Sequence, residues 1–211
     1  MAEVTIYWNE FSENKLGDDK VTHLNQLLLP DFQLDLNRSK KPQQLSFFAK
    51  MLLNDILERD FEIVNALNSF RKDEHGKPSI QEDLHFNISH SENLIAIAIC
   101  TKAEIGIDMQ KEKSFSERVL PKVLNIDEQQ EYDKSNRKES LFFDIWSKKE
   151  ACVKATGKGI KTGLTSFSVL DSIVPLDNHQ LHLQSINIKK GFSSAIAVNY
   201  PISNIIIKKL D

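Results

Sequence analysis

The sequence predicts an α+β protein in which helices pack on antiparallel sheets. Two observations carry that expectation. The hydrophobic patterns run strand, helices, strands, helices, strands, an order that groups elements of one kind instead of alternating them. The apolar stretches "IAIAI" from Ile95 and "AIAV" from Ala195 each follow a short turn, which hints at two similar halves meeting near Glu104. A chain of 211 residues can bury one substantial core or two small lobes.

Val4 to Phe11 alternates as a strand, and a helical stretch near Thr22 to Leu29 ends at Pro30. After Pro42, the residues Leu45, Phe48, Leu52 and Ile56 recur at helical spacing. A polar loop, "RKDEHGKPSIQEDL", follows. "HFNISHSENLIAIAIC" reads as two strands joined at Ser91, Glu92 and Asn93, and "AEIGIDMQ" as a third. Glu117 to Ala155 is mostly helical, with Asp127 the expected N-cap of "EQQEYDK". Beyond Gly163 the strand pattern returns in "TSFSVL", "QLHLQSINI", "SSAIAVNY" and "NIIIKKL".

Lys and Arg number 27 against 30 Asp and Glu, so the net charge of −3 disfavours wholesale nucleic-acid binding. The apolar run Leu94 to Cys100 is too short to cross a bilayer, and "MAEVTIYWNEF" lacks the basic, apolar start of a secretory signal. Cys100 and Cys152 form no disulfide or metal framework. A cytoplasmic protein without membrane or nucleic-acid partners is the expectation.

Chemistry concentrates in two segments. In "IGIDMQ", period-two alternation sends Ile105, Ile107 and Met109 to one face and Gly106, Asp108 and Gln110 to the other. Gly106 leaves room for an approach to the backbone, while two side-chain oxygens converge on a point that would suit Mg²⁺; from this segment alone an exposed strand end is the favoured reading. In "IWSKKEACVKATGKGI", Phe142, Trp146 and Val153 share a core face, and Glu150 with Lys154 lies on its edge near Ser147. A surface ion pair would explain those two. The excess of Lys148, Lys149, Lys154, Lys158 and Lys161 favours instead a polyanion, with a metal bridging Asp108 and Glu150.

Four segments taken together, "GKP" at Gly76, "FNISHS" at Phe86, "GIDMQ" at Gly106 and "WSKKEACVKATGKG" at Trp146, resemble the 4′-phosphopantetheinyl transferases, in the larger two-lobed class typified by the surfactin synthetase activator. The resemblance implies two pseudo-symmetric α+β lobes, residues 1–104 and 105–211, with the active site in the cleft between them. It implies Mg²⁺-dependent transfer of the phosphopantetheine arm of coenzyme A to a serine of an apo acyl or peptidyl carrier protein, releasing adenosine 3′,5′-bisphosphate. Asp108 and Glu150 match metal-binding acids, and Lys154 a lysine contacting the pyrophosphate, with Lys149 close to the phosphates. Ser89 and His90 match nucleotide-phosphate contacts, and Lys77 with Pro78 the loop beside the adenine. Ser46, with Lys40 and Lys41, matches the neighbourhood of the 3′-phosphate. Many relatives carry a second acid where this chain has Gln110, whose carbonyl would ligate the metal or yield its place to water. Mg²⁺ and Mn²⁺ both suit oxygen ligands.

Serine attack on a pyrophosphate needs charge stabilisation on phosphate oxygens, from Mg²⁺, Lys149 and Lys154, and a base, for which Glu150 is the candidate. The nucleophile would come from the partner, in keeping with the absence of a nucleophile elbow, Walker loop or HExxH helix. A Ser89, His90, Asp108 triad is disfavoured because adjacent strand residues face opposite ways. "GKGIKTG" reads as a helix C-cap and turn, and Phe115, Val119 and Leu120 as core more than carrier docking surface. His179 and His182 read as surface residues. The rivals are a catalytically weak coenzyme A or nucleotide-binding protein and a metal-dependent phosphohydrolase. Two lobes in one chain would complete a cleft as a monomer.

Overall fold

A computed structural model describes residues 1–159 and 163–210. Its elements are β1 (Ala2–Glu10), α1 (Asp18–Leu27), α2 (Lys41–Phe61), β2 (Arg71–Lys72), β3 (Pro78–Ser79), β4 (His85–Ser91), β5 (Leu94–Cys100), β6 (Ile105–Lys111), α3 (Leu120–Val123), α4 (Ile126–Lys134), α5 (Lys138–Thr156), β7 (Ile173–Leu176), β8 (His179–Ile186), β9 (Phe192–Val198) and β10 (Ile202–Lys209). Two four-stranded sheets result, ordered β10-β1-β5-β4 and β6-β9-β8-β7, with β2 and β3 as a separate small hairpin. The α+β class is as the sequence predicts.

β4 and β5 form a hairpin through the turn at Glu92, whose φ of 55° lies in the left-handed region. Every residue of β5 is buried, because apolar layers cover both faces of the first sheet. On one face lies α2, whose Leu45, Phe48, Leu52 and Ile56 join Ile95, Ile97 and Ile99 in a single cluster. On the other, Val4, Ile6, Ala96 and Ala98 meet Ile105, Ile107 and Met109 of β6. That second layer joins the sheets. A third cluster lies under α5, where Phe142 and Val153 meet Leu181 and Ala197. Phe115 stacks on Phe142 with centroids 4.1 Å apart, and Leu120 is buried beside it, so this segment serves as core.

Three local expectations change. The first sheet is not wholly antiparallel: β10 crosses back from the second sheet and pairs parallel with β1, so the first sheet draws strands from both sides of Glu104. The N-cap of α4 is Asn125, not Asp127; its side chain accepts from Glu128 N while Glu128 accepts from Asn125 N, a reciprocal pair that fixes the helix start. "TSFSVL" is a helical turn and an irregular stretch, because Leu164 and Phe167 turn their carbonyls to a buried lysine instead of a strand neighbour. The strand there is β7, farther along.

α5 lies unusually close to β6 for a helix on a sheet. A Cβ at Gly106 would sit 2.1 Å from the Ala151 carbonyl oxygen and 2.4 Å from Ala155 N. The room that Gly106 leaves is therefore filled by the helix backbone. Gly106→Ala must push α5 off the sheet, at a cost of about 3 kcal/mol. Urea unfolding would measure it, and a variant as stable as wild type would refute this account of the contact.

Candidate active site

The edge strands β4 and β6 face each other across the sheet boundary. Asn87, Ser89 and Ser91 alternate along one face of β4, and their side-chain oxygens accept from the backbone N–H groups of Ile107, Met109 and Lys111 at 3.1, 3.2 and 3.0 Å. Side chains thus replace a backbone ladder. The same alternation turns Asp108 away from the apolar layer and toward α5, where its carboxylate is 4% exposed.

A carboxylate buried so far requires a compensating cation. Lys154, in the last turn of α5, provides it: Nζ lies 2.6 Å from Asp108 Oδ1, and also donates to the Ile107 carbonyl at 3.2 Å and Ser89 Oγ at 3.3 Å. Ser89 Oγ donates to Asp108 Oδ1 at 3.1 Å, and Gln110 Nε2 to Oδ2 at 2.7 Å. Every oxygen of Asp108 is engaged.

Glu150 lies one turn before Lys154 and lines with it a cavity of about 240 Å³, whose walls include Lys77, Pro78, Asn87 and Gly157. Desolvation raises its carboxyl above the ordinary range, and the charge of Asp108 raises it further, against the opposing pull of Lys154 and a hydrogen bond from Trp146. His90 points away from Ser89 and is exposed, its imidazole held below its ordinary range by partial desolvation and then by the Lys154 ammonium. No Ser89, His90, Asp108 triad forms.

Of the residues singled out from the sequence, Asp108, Gln110, Ser89 and Lys154 form one bonded cluster, and Glu150, Lys77 and Pro78 share a cavity with Lys154. Lys149 does not join them, and this corrects the expectation that it lies near phosphates. It is fully buried on the opposite side of α5, 2.7 Å from Glu128 and donating to the carbonyls of Leu164 and Phe167 at 2.6 Å each. Desolvation holds its ammonium below the usual lysine range even with Glu128 adjacent. Successive residues turn about 100° on a helix, so Lys149 and Glu150 cannot face the same space. The lysine excess disperses likewise: Lys148 pairs with Asp144 and Lys158 with Asp177, while Lys161 lies outside the described residues. Ser46 lines neither this cavity nor its neighbour; its Oγ and carbonyl accept from Lys50, whose ammonium burial and Lys72 push down to about 8.

The donor set fits a hard divalent cation in chemistry. Two carboxylates, with an amide that can present its carbonyl, supply oxygen ligands for an ion that keeps several waters. Among the described residues no group of three or more His, Cys, Asp or Glu side chains assembles for a metal. Any ion here would depend on Gln110 and water beside Asp108 and Glu150. The sequence reading missed Glu128, Asn87 and Ser91; the polar residues at every second position of "FNISHS" were the available signal for the last two.

Comparison with known proteins bears out the resemblance carried by the four motifs. Residues 104–201 match the family model of the 4′-phosphopantetheinyl transferase superfamily. A 4′-phosphopantetheinyl transferase of Bacillus pumilus is 32% identical over 127 residues, 58% of this chain and 54% of that protein. The 4′-phosphopantetheinyl transferase Sfp of Bacillus subtilis is 28% identical over 173 residues, 77% of each chain. The chain thus spans about half the length of the first and about three quarters of the second. Among solved structures, a holo-[acyl-carrier-protein] synthase of Thermotoga maritima aligns over 45% of this chain and 61% of its own, at 18% identity and a TM-score of 0.37.

The two adjacent charges of α5 should respond oppositely to removal. Lys149→Met strands a fully buried carboxylate and should cost about 3–5 kcal/mol in urea unfolding; a loss below about 1 kcal/mol would contradict the buried pair. Glu150 behaves in reverse. Its folded-state pKa is raised, so it opposes folding progressively as the pH rises above the ordinary glutamate value, and fully once the raised value is passed. In metal-free buffer, Glu150→Gln should melt above wild type at neutral pH, and the gap should close as the pH falls below the ordinary glutamate range. A variant that melts lower at neutral pH would show that Lys154 needs the Glu150 charge.

Proposed function

We propose that this chain, whose residues 104–201 match the 4′-phosphopantetheinyl transferase superfamily, transfers the phosphopantetheine arm of coenzyme A to a serine of an apo acyl or peptidyl carrier protein. The products would be the holo carrier and adenosine 3′,5′-bisphosphate, and the reaction would depend on Mg²⁺ or Mn²⁺. One observation carries the reading: Asp108 from the sheet and Lys154 from α5 meet beside Glu150 at the boundary between the two sheets. A carboxylate and an ammonium lining one cavity, with a second carboxylate bonded to that ammonium, suit a pyrophosphate better than they suit a neutral substrate.

Asp108, Glu150 and the Gln110 carbonyl would hold the metal, which when bound offsets charge on the pyrophosphate oxygens. Lys154 is already oriented by Asp108 and the Ile107 carbonyl; its longest bond, to Ser89 Oγ, is the one it would exchange for a phosphate oxygen. Glu150 would accept the proton of the incoming serine hydroxyl. The raised affinity of its carboxyl for a proton suits that task, since a base works best when its pKa approaches the operating pH. The serine oxygen forms a bond to the pantetheine-bearing phosphorus as the bond from that phosphorus to the bisphosphate breaks. Lys77 and Pro78 would border the adenosine end, and His90 would stand by its phosphates. Lys149 takes no part except through the fold.

Intact-mass spectrometry of an apo carrier protein incubated with coenzyme A, Mg²⁺ and this protein tests the reading. The expected result is a gain of one phosphopantetheine arm, abolished in Lys154→Ala and reduced at least about a hundredfold in Glu150→Gln. Coenzyme A consumed without carrier would favour the phosphohydrolase. Binding without either reaction on several unrelated carriers would favour the binding protein and lay the loss on Gln110.

A further inference from the structure

Lys77 is held by a carboxylate outside the four motifs. Glu104 stands between β5 and β6, where the chain passes from one sheet to the other, and its carbonyl accepts from Asn199 N at 3.2 Å. Glu104 Oε2 accepts from Lys77 Nζ at 2.5 Å, and Oε1 lies 3.0 Å from His85 Nδ1. Lys77 Nζ also donates to the Ala155 carbonyl at 3.2 Å, in the last turn of α5. One ammonium therefore ties the β2–β3 turn, the connection between the sheets and the end of α5.

Among the described residues, the other hydrogen bonds at the tip of this turn are internal to it. Asp73 N donates to the Lys77 carbonyl, and Asp73 Oδ1 accepts from His75 N and Lys77 N. β2 and β3 share only two residue pairs. The Lys77 side chain runs between the cavity of about 240 Å³ beside Glu150 and a second of about 470 Å³ bounded by Glu104 and His85; Lys77, Pro78 and Gly157 line both. Gly157, whose φ of +70° caps α5, borders that course, with the position of its absent Cβ 3.4 Å from Lys77 Cδ.

We infer that Glu104 is a positioning residue of the nucleotide side of the site: by fixing the Lys77 ammonium it sets the Lys77–Pro78 wall where the adenosine end of the substrate enters, and touches no reacting atom itself. This rests on the transferase reading. Desolvation pushes the Glu104 carboxyl up, but Lys77 and His85 together bring it below the ordinary range, so the acceptor is ionised at neutral pH. With its Lys77 charge already matched, the wall acts by position and not as a free cation for phosphate. Glu104 is 43% exposed, so its removal should leave the fold intact.

Calorimetric binding of coenzyme A and steady-state transfer would be measured on wild type, Glu104→Gln, Lys77→Met and the double variant. Glu104→Gln should weaken coenzyme A binding and raise its KM about tenfold, with kcat and the KM for carrier within about twofold. In the Lys77→Met background it should add nothing, because the two act as one unit. A fall in kcat with an unchanged KM for coenzyme A, or effects of the two substitutions that add, would overturn the inference. Wild type that neither binds coenzyme A nor modifies any carrier overturns the transferase reading and the inference with it. An active wild type matched by Glu104→Gln in every parameter overturns the inference alone.

Discussion

Two sheet edges meet in this molecule without a backbone ladder, and the site follows from how that junction is satisfied. An edge strand carries a row of unpaired N–H groups that cannot be buried unmatched. β4 answers the N–H groups of β6 with the side chains of Asn87, Ser89 and Ser91. Because those acceptors sit at every second residue, the apolar face of β6 stays in the layer between the sheets and Asp108 is turned to the helix side. Ser89 serves twice, accepting from Met109 N and donating to the Asp108 carboxylate. The junction is thus both a structural seam and the floor of the site.

α5 divides its charges by direction. Lys149 turns inward to Glu128, Lys148 outward to Asp144, and Glu150 with Lys154 toward the cavity. The inward pair costs desolvation of both ions, and it returns fixation: Glu128 also accepts from Asn125 N and Val169 N, and Lys149 donates to Leu164 and Phe167. The segment that returns from α5 to the second sheet is held there. Gly106, Ala151 and Ala155 then bring the helix close enough for Lys154 to reach Asp108.

Charge at the cavity is left unbalanced by design of the fold. Desolvation, and then the charge of Asp108, raise the Glu150 carboxyl, and the pull of Lys154, which is already bonded to Asp108, does not offset them. Perturbed groups of this kind gather where chemistry is done, because the arrangement that suits a charged substrate is strained without it. Asp60 shows the contrast: Arg59, Tyr7 and Lys208 surround it, its carboxyl falls well below the ordinary range, and it bolts α2 to β1 and β10 with nothing left to bind.

Much of this was legible in the sequence because it depends on local periodicity. Alternation in "IGIDMQ" and "IAIAI" located β5 and β6 and the face of Asp108, and helical spacing located α2 and the partnership of Glu150 with Lys154. The motifs gave the family to which residues 104–201 compare. Sequence spacing could not say which lysines reach the cavity, since that depends on where Glu128, Asp144 and Asp177 arrive from other elements to claim Lys149, Lys148 and Lys158. Nor could it place β10 beside β1 or Glu104 under Lys77, contacts made by residues far apart in the chain. Periodicity records which way a side chain points within its own element; what it meets there is decided only when the elements pack, because burial and charge pairing are properties of the assembled neighbours.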